Sequence, residues 1–239
     1  MRAAGRILAE VKDRLKALVR AGTSTKDIDE DVEAFIIGKG AQSAFKGYRG
    51  YPATVCTSIN HEVVHGIPSI KRKLKDGDII GLDLGCIVEG YYGDCAVTLP
   101  VGAVPVRVQE LIDVTRESLD KAIVQCRAGN RIGDISHAVQ THCESHGFGV
   151  VRAFVGHGIG RSLHEEPQVP NFGEPGRGPV LKAGMVLAIE PMVTMGSSEV
   201  QVLDDGWTAV TTDGSLAAHI EDTIAITENG PDVLTRAAA

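Results

Sequence analysis

The sequence repeats itself at one fixed offset. Ala21, Gly22, Asp27, Ile28, Val32 and Gly40 recur 107 residues later as Ala128, Gly129, Asp134, Ile135, Val139 and Gly147. The same shift carries Leu74-Lys75-Asp76-Gly77 onto Leu181-Lys182-Ala183-Gly184, and the apolar run ending at Asp83 onto the run ending at Glu190. Chance identities rarely keep one offset across separated stretches, so the pattern reads as an internal duplication. Two repeated α/β halves pack most simply about a pseudo-twofold axis. The expectation is one domain over residues 1–239, divided at roughly 1–104 and 105–239. A chain of this length buries a substantial core.

Local patterns predict a helix pair in each half. Ile7, Leu8, Val11, Leu15, Leu18 and Val19 lie at helical spacing across residues 2–21. Ser24-Thr25-Lys26-Asp27 reads as a capping box opening a helix with Ile28, Val32, Phe35 and Ile36 on one face. Later, Val108, Leu111, Ile112, Thr115, Leu119, Ala122, Ile123 and Cys126 define a long amphipathic helix, and Ile132, Ile135, Val139 and Cys143 a shorter one. Residues 54–58 read as a short strand.

Chemistry concentrates between Asp83 and Asp94. Ile79-Ile80-Gly81-Leu82 reads as a buried strand that Asp83 ends. Glu89-Gly90 makes a tight turn, and Asp94 opens a second apolar segment, residues 95–99. A hairpin of this kind sets two carboxylates on neighbouring strands in apolar surroundings. A turn-capping Asp explains one such residue and explains two less well, since strands disfavour Asp. Buried carboxylates need a partner, and a hard divalent cation is the natural one. The repeat supplies more of them. Asp83 corresponds to Glu190, and Asp94 finds a looser counterpart in Glu221, just before a strand at residues 222–226. Four converging acidic groups suit two metal ions sharing bridging carboxylates.

Histidines complete the donor set. His157, between Gly156 and Gly158, and His164 follow each other closely, and His65 sits before Gly66. A lone histidine is more often structural than a ligand, but beside an acidic cluster that needs a cation His157 reads as one. His61, His137, His142, His146 and His219 receive no role; those at 137, 142 and 146 fall on a polar helix face.

Composition narrows the rest. A net charge of −7 argues against broad nucleic-acid binding. Five cysteines without a C-x-x-C spacing fit neither a disulfide framework nor a structural zinc site, and point to a reducing compartment. No apolar run approaches about 18 residues, so neither a signal peptide nor a membrane span is expected, and the reading is cytoplasmic. P-loop, H-E-x-x-H and G-x-S-x-G motifs are absent.

Taken together, Val64-His65-Gly66-Ile67-Pro68, Asp83, Gly93-Asp94, Gly156-His157-Gly158-Ile159-Gly160-Arg161, His164-Glu165-Glu166-Pro167, Ile189-Glu190-Pro191-Met192 and Glu221-Asp222-Thr223 resemble type I methionine aminopeptidase, in order across the whole chain. The resemblance implies the pita-bread fold, an α/β (α+β) architecture of two pseudo-twofold halves with a central antiparallel sheet flanked by helices. It also implies a cytoplasmic monomer that removes the initiator methionine from nascent proteins when the next residue is small, with the ribosome as a partner and no direct contact to nucleic acid or membrane. The implied metal ligands are Asp83, Asp94, His157, Glu190 and Glu221, with Asp94 and Glu221 bridging two divalent ions. Glu190 is the implied general base, His164 an oxyanion contact and His65 a contact to the scissile nitrogen. Tyr48, Tyr51, Cys56, Leu163 and Trp207 are the implied substrate pocket. This donor set accepts Co, Mn, Fe or Zn alike.

Two departures stand out. Leu163 replaces the phenylalanine of many relatives, and Glu221-Asp222-Thr223 replaces the commoner Glu-His-Thr. The rival readings are an Xaa-Pro aminopeptidase or prolidase, which share a similar ligand set, and a non-catalytic binding module, which typically loses ligands.

Overall fold

Each half of the repeat becomes a helix pair laid on its own antiparallel sheet. The structure, a computed structural model, describes residues 1–237, so residues 238 and 239 of the expected domain lie outside the described residues. Helices α1 (Arg2–Leu18) and α2 (Thr25–Gly38) cover the first sheet, and α3 (Val106–Gln125) and α4 (Ile132–Ser145) the second. The α2 capping box is present: Ser24 Oγ accepts the Asp27 N–H at 3.1 Å and Asp27 accepts the Ser24 N–H at 3.0 Å. Helix α1 stops earlier than the spacing suggests because the chain turns at Gly22, where φ is 89° and the N–H bonds the Leu74 carbonyl at 2.8 Å. The second half makes the same bond, from Gly129 N–H to Leu181 at 3.0 Å.

In the first sheet, the Ile79–Val88 strand pairs with Val55–Ile59 and Gln42–Ser43, and with Tyr91–Pro100 across the hairpin. Glu89 and Gly90 both take positive φ, 50° and 75°, as a two-residue hairpin turn demands. Asp83 does not end its strand. The ladder runs on to Val88, because residues 84–88 continue the apolar pattern, and Asp83 sits at mid-strand opposite Ala96. In the second sheet the order is Gly230–Val233, Asp222–Thr227, Val186–Ile189, Gly156–Gly158 and Glu165–Val169. Leu8, Ile28, Val32, Leu82 and Leu84 belong to one buried core; Leu111, Leu119, Ile135, Leu187 and Ile224 belong to another.

Two three-stranded sheets accompany these, and the two larger sheets join at a seam. Ala96 and Glu221 exchange both backbone hydrogen bonds, at 3.2 and 3.0 Å. On one side, the Thr223 hydroxyl accepts the Asp94 N–H at 3.0 Å and donates to the Asp94 carbonyl at 2.7 Å. On the other, the Thr98 hydroxyl accepts the His219 N–H at 2.9 Å and donates to the His219 carbonyl at 2.8 Å. An antiparallel pair with this symmetry has its local twofold at the 96–221 pair. Thr98 is therefore the counterpart of Thr223, and Asp94 that of His219. The looser correspondence of Asp94 with Glu221 is corrected: Glu221 matches Ala96. This is the pseudo-twofold α/β arrangement of the pita-bread fold. Among the described residues no helix is long and apolar enough to cross a membrane.

Candidate active site

Asp83, Asp94, His157, Glu190 and Glu221 line one cavity at the seam. They arrive from several backbone settings. Asp83 and Asp94 project from the hairpin ladder, while Glu190 follows the Val186–Ile189 strand and Glu221 precedes Asp222–Thr227. His157 lies on a strand pressed close to both neighbours. A Cβ at Gly156 would meet the Ala188 carbonyl at 2.4 Å, and one at Gly158 the Glu166 carbonyl at 2.2 Å. Only glycine permits that approach.

The polar groups here lack partners. Asp83 Oδ1, Asp94 Oδ1 and Glu221 Oε1 are buried without a hydrogen bond. One donor atom each from Asp94, His157 and Glu221 lie within 4.8 Å of one another. His157 Nδ1 lies 2.9 Å from the Gly158 carbonyl, which only accepts, so the proton of the neutral ring sits on Nδ1. The lone pair of Nε2 then faces Glu190 Oε1 at 3.7 Å and Asp94 Oδ2 at 4.0 Å. A lone pair aimed at two carboxylates, with three orphaned carboxylate oxygens nearby, is unfavourable by itself and is satisfied by a cation. Burial pushes Asp83 up to about 7. Burial first, and neighbouring acidic charge second, push Asp94, Glu190 and Glu221 well above the ordinary carboxylate range. The residues present fit a divalent metal.

The rest of the cavity wall is aromatic and apolar. Tyr51, Cys56 and Leu163 are buried in one cluster, with Tyr48 and Trp207 packed against it. The Tyr51 hydroxyl is aimed at the Gly66 carbonyl, 2.9 Å away, and its ring meets Trp207 edge-on at 5.1 Å. The Cys56 thiol is pushed up by burial, and all five cysteines are free and buried. His65 takes φ 62° without being glycine, a strained backbone of the kind that clusters at functional sites. Its ring stands edge-on to Phe154 at 5.5 Å. His164 Nδ1 lies 2.8 Å from the Tyr48 hydroxyl, and burial lowers its pKa to about 4. Every residue expected at the site lines this one cavity.

Phe45 and Arg49 line it too and were not anticipated. An aromatic residue just ahead of Gly47-Tyr48 was the available signal for Phe45. His219, left without a role, has its Nε2 at 3.7 Å from Glu190 Oε2. His142 instead bonds Glu117 at 3.0 Å on α3, clear of the cavity lining.

The departure at Asp222 has a structural answer. Successive strand residues face opposite sides, so Asp222 points away from Glu221. There Lys12 Nζ reaches it at 2.7 Å, Arg236 Nε at 2.6 Å and Thr235 Oγ1 at 2.7 Å. Its charge is balanced outside the cavity.

Comparison with known proteins agrees with this geometry. The profile of metallopeptidase family M24 matches residues 1–228. A methionine aminopeptidase of Clostridium perfringens is 53% identical over 98% of this chain and 94% of its own. Methionine aminopeptidase 1 of Bacillus subtilis is 52% identical, covering 99% and 95%. The crystal structure of the Thermotoga maritima methionine aminopeptidase superimposes with a TM-score of 0.98 at 48% identity, covering 99% of this chain and 95% of that one. Similarity this high, spanning both halves and the cavity between them, leaves one assignment: the chain belongs to metallopeptidase family M24 and, within it, to the methionine aminopeptidases.

Proposed function

We propose that the protein removes the N-terminal initiator methionine from nascent proteins when the second residue is small, using two divalent metal ions. The observation that carries this reading is the juxtaposition of orphaned carboxylate oxygens around His157 Nε2 with an apolar pocket in the same cavity. In this reading Asp83, Asp94, His157, Glu190 and Glu221 would hold the ions. When bound, the ions polarise the scissile carbonyl and make water a usable nucleophile at neutral pH.

The chain's own groups do the remaining work. Glu190, beside the metal position, accepts the proton of the attacking water. His164 stays neutral near pH 7 because burial disfavours its charged form. With the Tyr48 hydroxyl donating to Nδ1, its Nε2–H is free to donate to the developing oxyanion. His65, fixed between Phe154 and Trp207, faces the scissile nitrogen. Tyr48, Tyr51, Cys56, Leu163 and Trp207 bury the methionine side chain, a transfer of about 1.5–3 kcal/mol. In the cell the protein works as a cytoplasmic monomer beside the ribosome, a setting with which five free, buried cysteines accord.

The test is release of free amino acid from Met-Ala-Ser and from an Ala-Pro-Ser peptide by metal-free protein supplied in turn with Mn, Fe, Co or Zn. Methionine is released from the first peptide and nothing from the second. Cleavage before proline without methionine release would establish the prolidase-type reading instead.

A further inference from the structure

His219 has no part in the reaction as described, yet it is only 3% exposed and its Nε2 is buried without a hydrogen-bond partner. The acidic group facing that nitrogen is Glu190, with Oε2 at 3.7 Å. The other oxygen of the same carboxylate, Oε1, lies 3.7 Å from His157 Nε2. Glu190 thus stands between two imidazoles, one to each oxygen.

The seam explains why His219 points there. The local twofold makes it the counterpart of Asp94, and a threonine hydroxyl clamps both the N–H and the carbonyl of each. Side chains at equivalent positions leave the seam on the same face. Asp94 goes toward the acidic group of its own half, Asp83, and His219 goes toward Glu190, the residue that the repeat equates with Asp83. An imidazole always carries at least one N–H. A lone pair turned to a carboxylate is repelled, whereas an N–H is attracted.

We propose that His219 is a positioning residue for Glu190: its Nε2–H, 3.7 Å from Oε2, attracts that oxygen electrostatically, which keeps Oε1 turned toward His157 and the metal position. The inference rests on Glu190 serving as metal ligand and base in the preceding section. Groups that orient a ligating carboxylate influence metal affinity and turnover without touching substrate.

Two amide variants separate positioning from packing. In His219→Gln the side-chain amide reaches the place of Nε2; in His219→Asn it stops near the place of Nδ1. Calorimetric titration of the metal-free proteins with Mn2+ alone, and kcat and KM for Met-Ala-Ser, are compared with wild type. We expect His219→Asn to weaken Mn2+ binding by about 10–100-fold and to lower kcat by at least about tenfold, with His219→Gln close to wild type in both. KM stays within about twofold throughout, because the methionine pocket is untouched. Equal behaviour of the two variants, in either direction, overturns the assignment, as does a change carried by KM. Loss of the folded near-ultraviolet circular dichroism signal in His219→Asn makes the residue a packing group and overturns it too. The Mn2+ titration decides the point even if wild-type protein releases no methionine, in which case it is the proposed function that fails.

Discussion

In the N-terminal half, Asp83 and Asp94 sit inside a continuous ladder that pairs Ile79–Val88 with Tyr91–Pro100 residue by residue. In the C-terminal half, Glu190 and Glu221 each stand one residue outside a strand, and imidazoles face both oxygens of Glu190. Short side chains on a rigid hairpin are placed by the backbone, so the first pair forms a fixed platform of two carboxyl groups. Longer side chains at strand ends have more torsions and must be oriented by neighbours. The comparison teaches that the half with the less regular backbone carries the carboxylate that imidazoles flank on both sides, Glu190.

The largest effect falls on the platform. Asp94→Asn is expected to reduce methionine release to background and to lower Mn2+ uptake, because a neutral amide is a poor ligand for a divalent cation; circular dichroism should remain that of a folded chain. Glu190→Gln is expected to lower kcat by about 10²–10⁴ while weakening Mn2+ uptake less. If the two variants lose metal and turnover in the same proportion, the contrast between platform and base disappears.

Next in size is the histidine contrast. His157→Ala should weaken Mn2+ binding by about 10–100-fold, whereas His142→Ala, bonded to Glu117 on the helical layer, should change neither binding nor rate. Equal responses would mean that proximity to the acidic cluster does not distinguish ligands from surface imidazoles.

Stability against pH provides a third measure. The folded-state pKa of Asp83 is raised to about 7, and those of Asp94, Glu190 and Glu221 are raised as well. A raised carboxylate costs nothing below its unfolded value of about 4 and destabilises progressively as pH rises through the folded value. The Tm of the metal-free protein should therefore fall from about pH 5 to about pH 8, and the Tm gain on adding Mn2+ should grow over the same interval. Asp94→Asn should flatten the fall. A metal-free Tm that rises across this range would contradict the burial of uncompensated acidic groups.

The smallest effect tests the apolar wall shared by both halves. Leu163, from the C-terminal half, packs in one cluster with Tyr51 and Cys56 from the other. Leu163→Phe should shift discrimination between methionine and norleucine or leucine by roughly 1–3 kcal/mol at most, read as kcat/KM ratios for Met-Ala, norleucine-Ala and Leu-Ala peptides. Wild type should accept norleucine relatively better than the variant. Unchanged ratios would remove Leu163 from the pocket.

Much of this was legible in the chain because it was written locally. The Ser24–Asp27 capping box, the Glu89-Gly90 turn and the glycines flanking His157 each specify a backbone geometry within a few residues. The fixed offset added long-range information and equated Asp83 with Glu190. What stayed hidden was the register of the seam. Nothing near residue 219 or 221 says that Ala96 will be the partner, so sequence alone pairs Asp94 with Glu221 and gives His219 no role. The end of the Asp83 strand was misplaced for the opposite reason. An Asp after four apolar residues looks like punctuation, but the ladder beyond it is held by Leu84 and Cys86, both fully buried.

The ion pair of Lys12 with Asp222 joins groups 210 residues apart. During synthesis the first helix leaves the ribosome long before the strand that neutralises its lysine, and Arg236, the other cation on Asp222, comes later still. Contacts this distant along the chain cannot form until everything between them has been made. The strand that begins at Asp222 also carries Glu221 into place. Until that strand has been made, the cavity lacks Glu221, and Asp83 and Asp94 wait on a seam that is not yet closed.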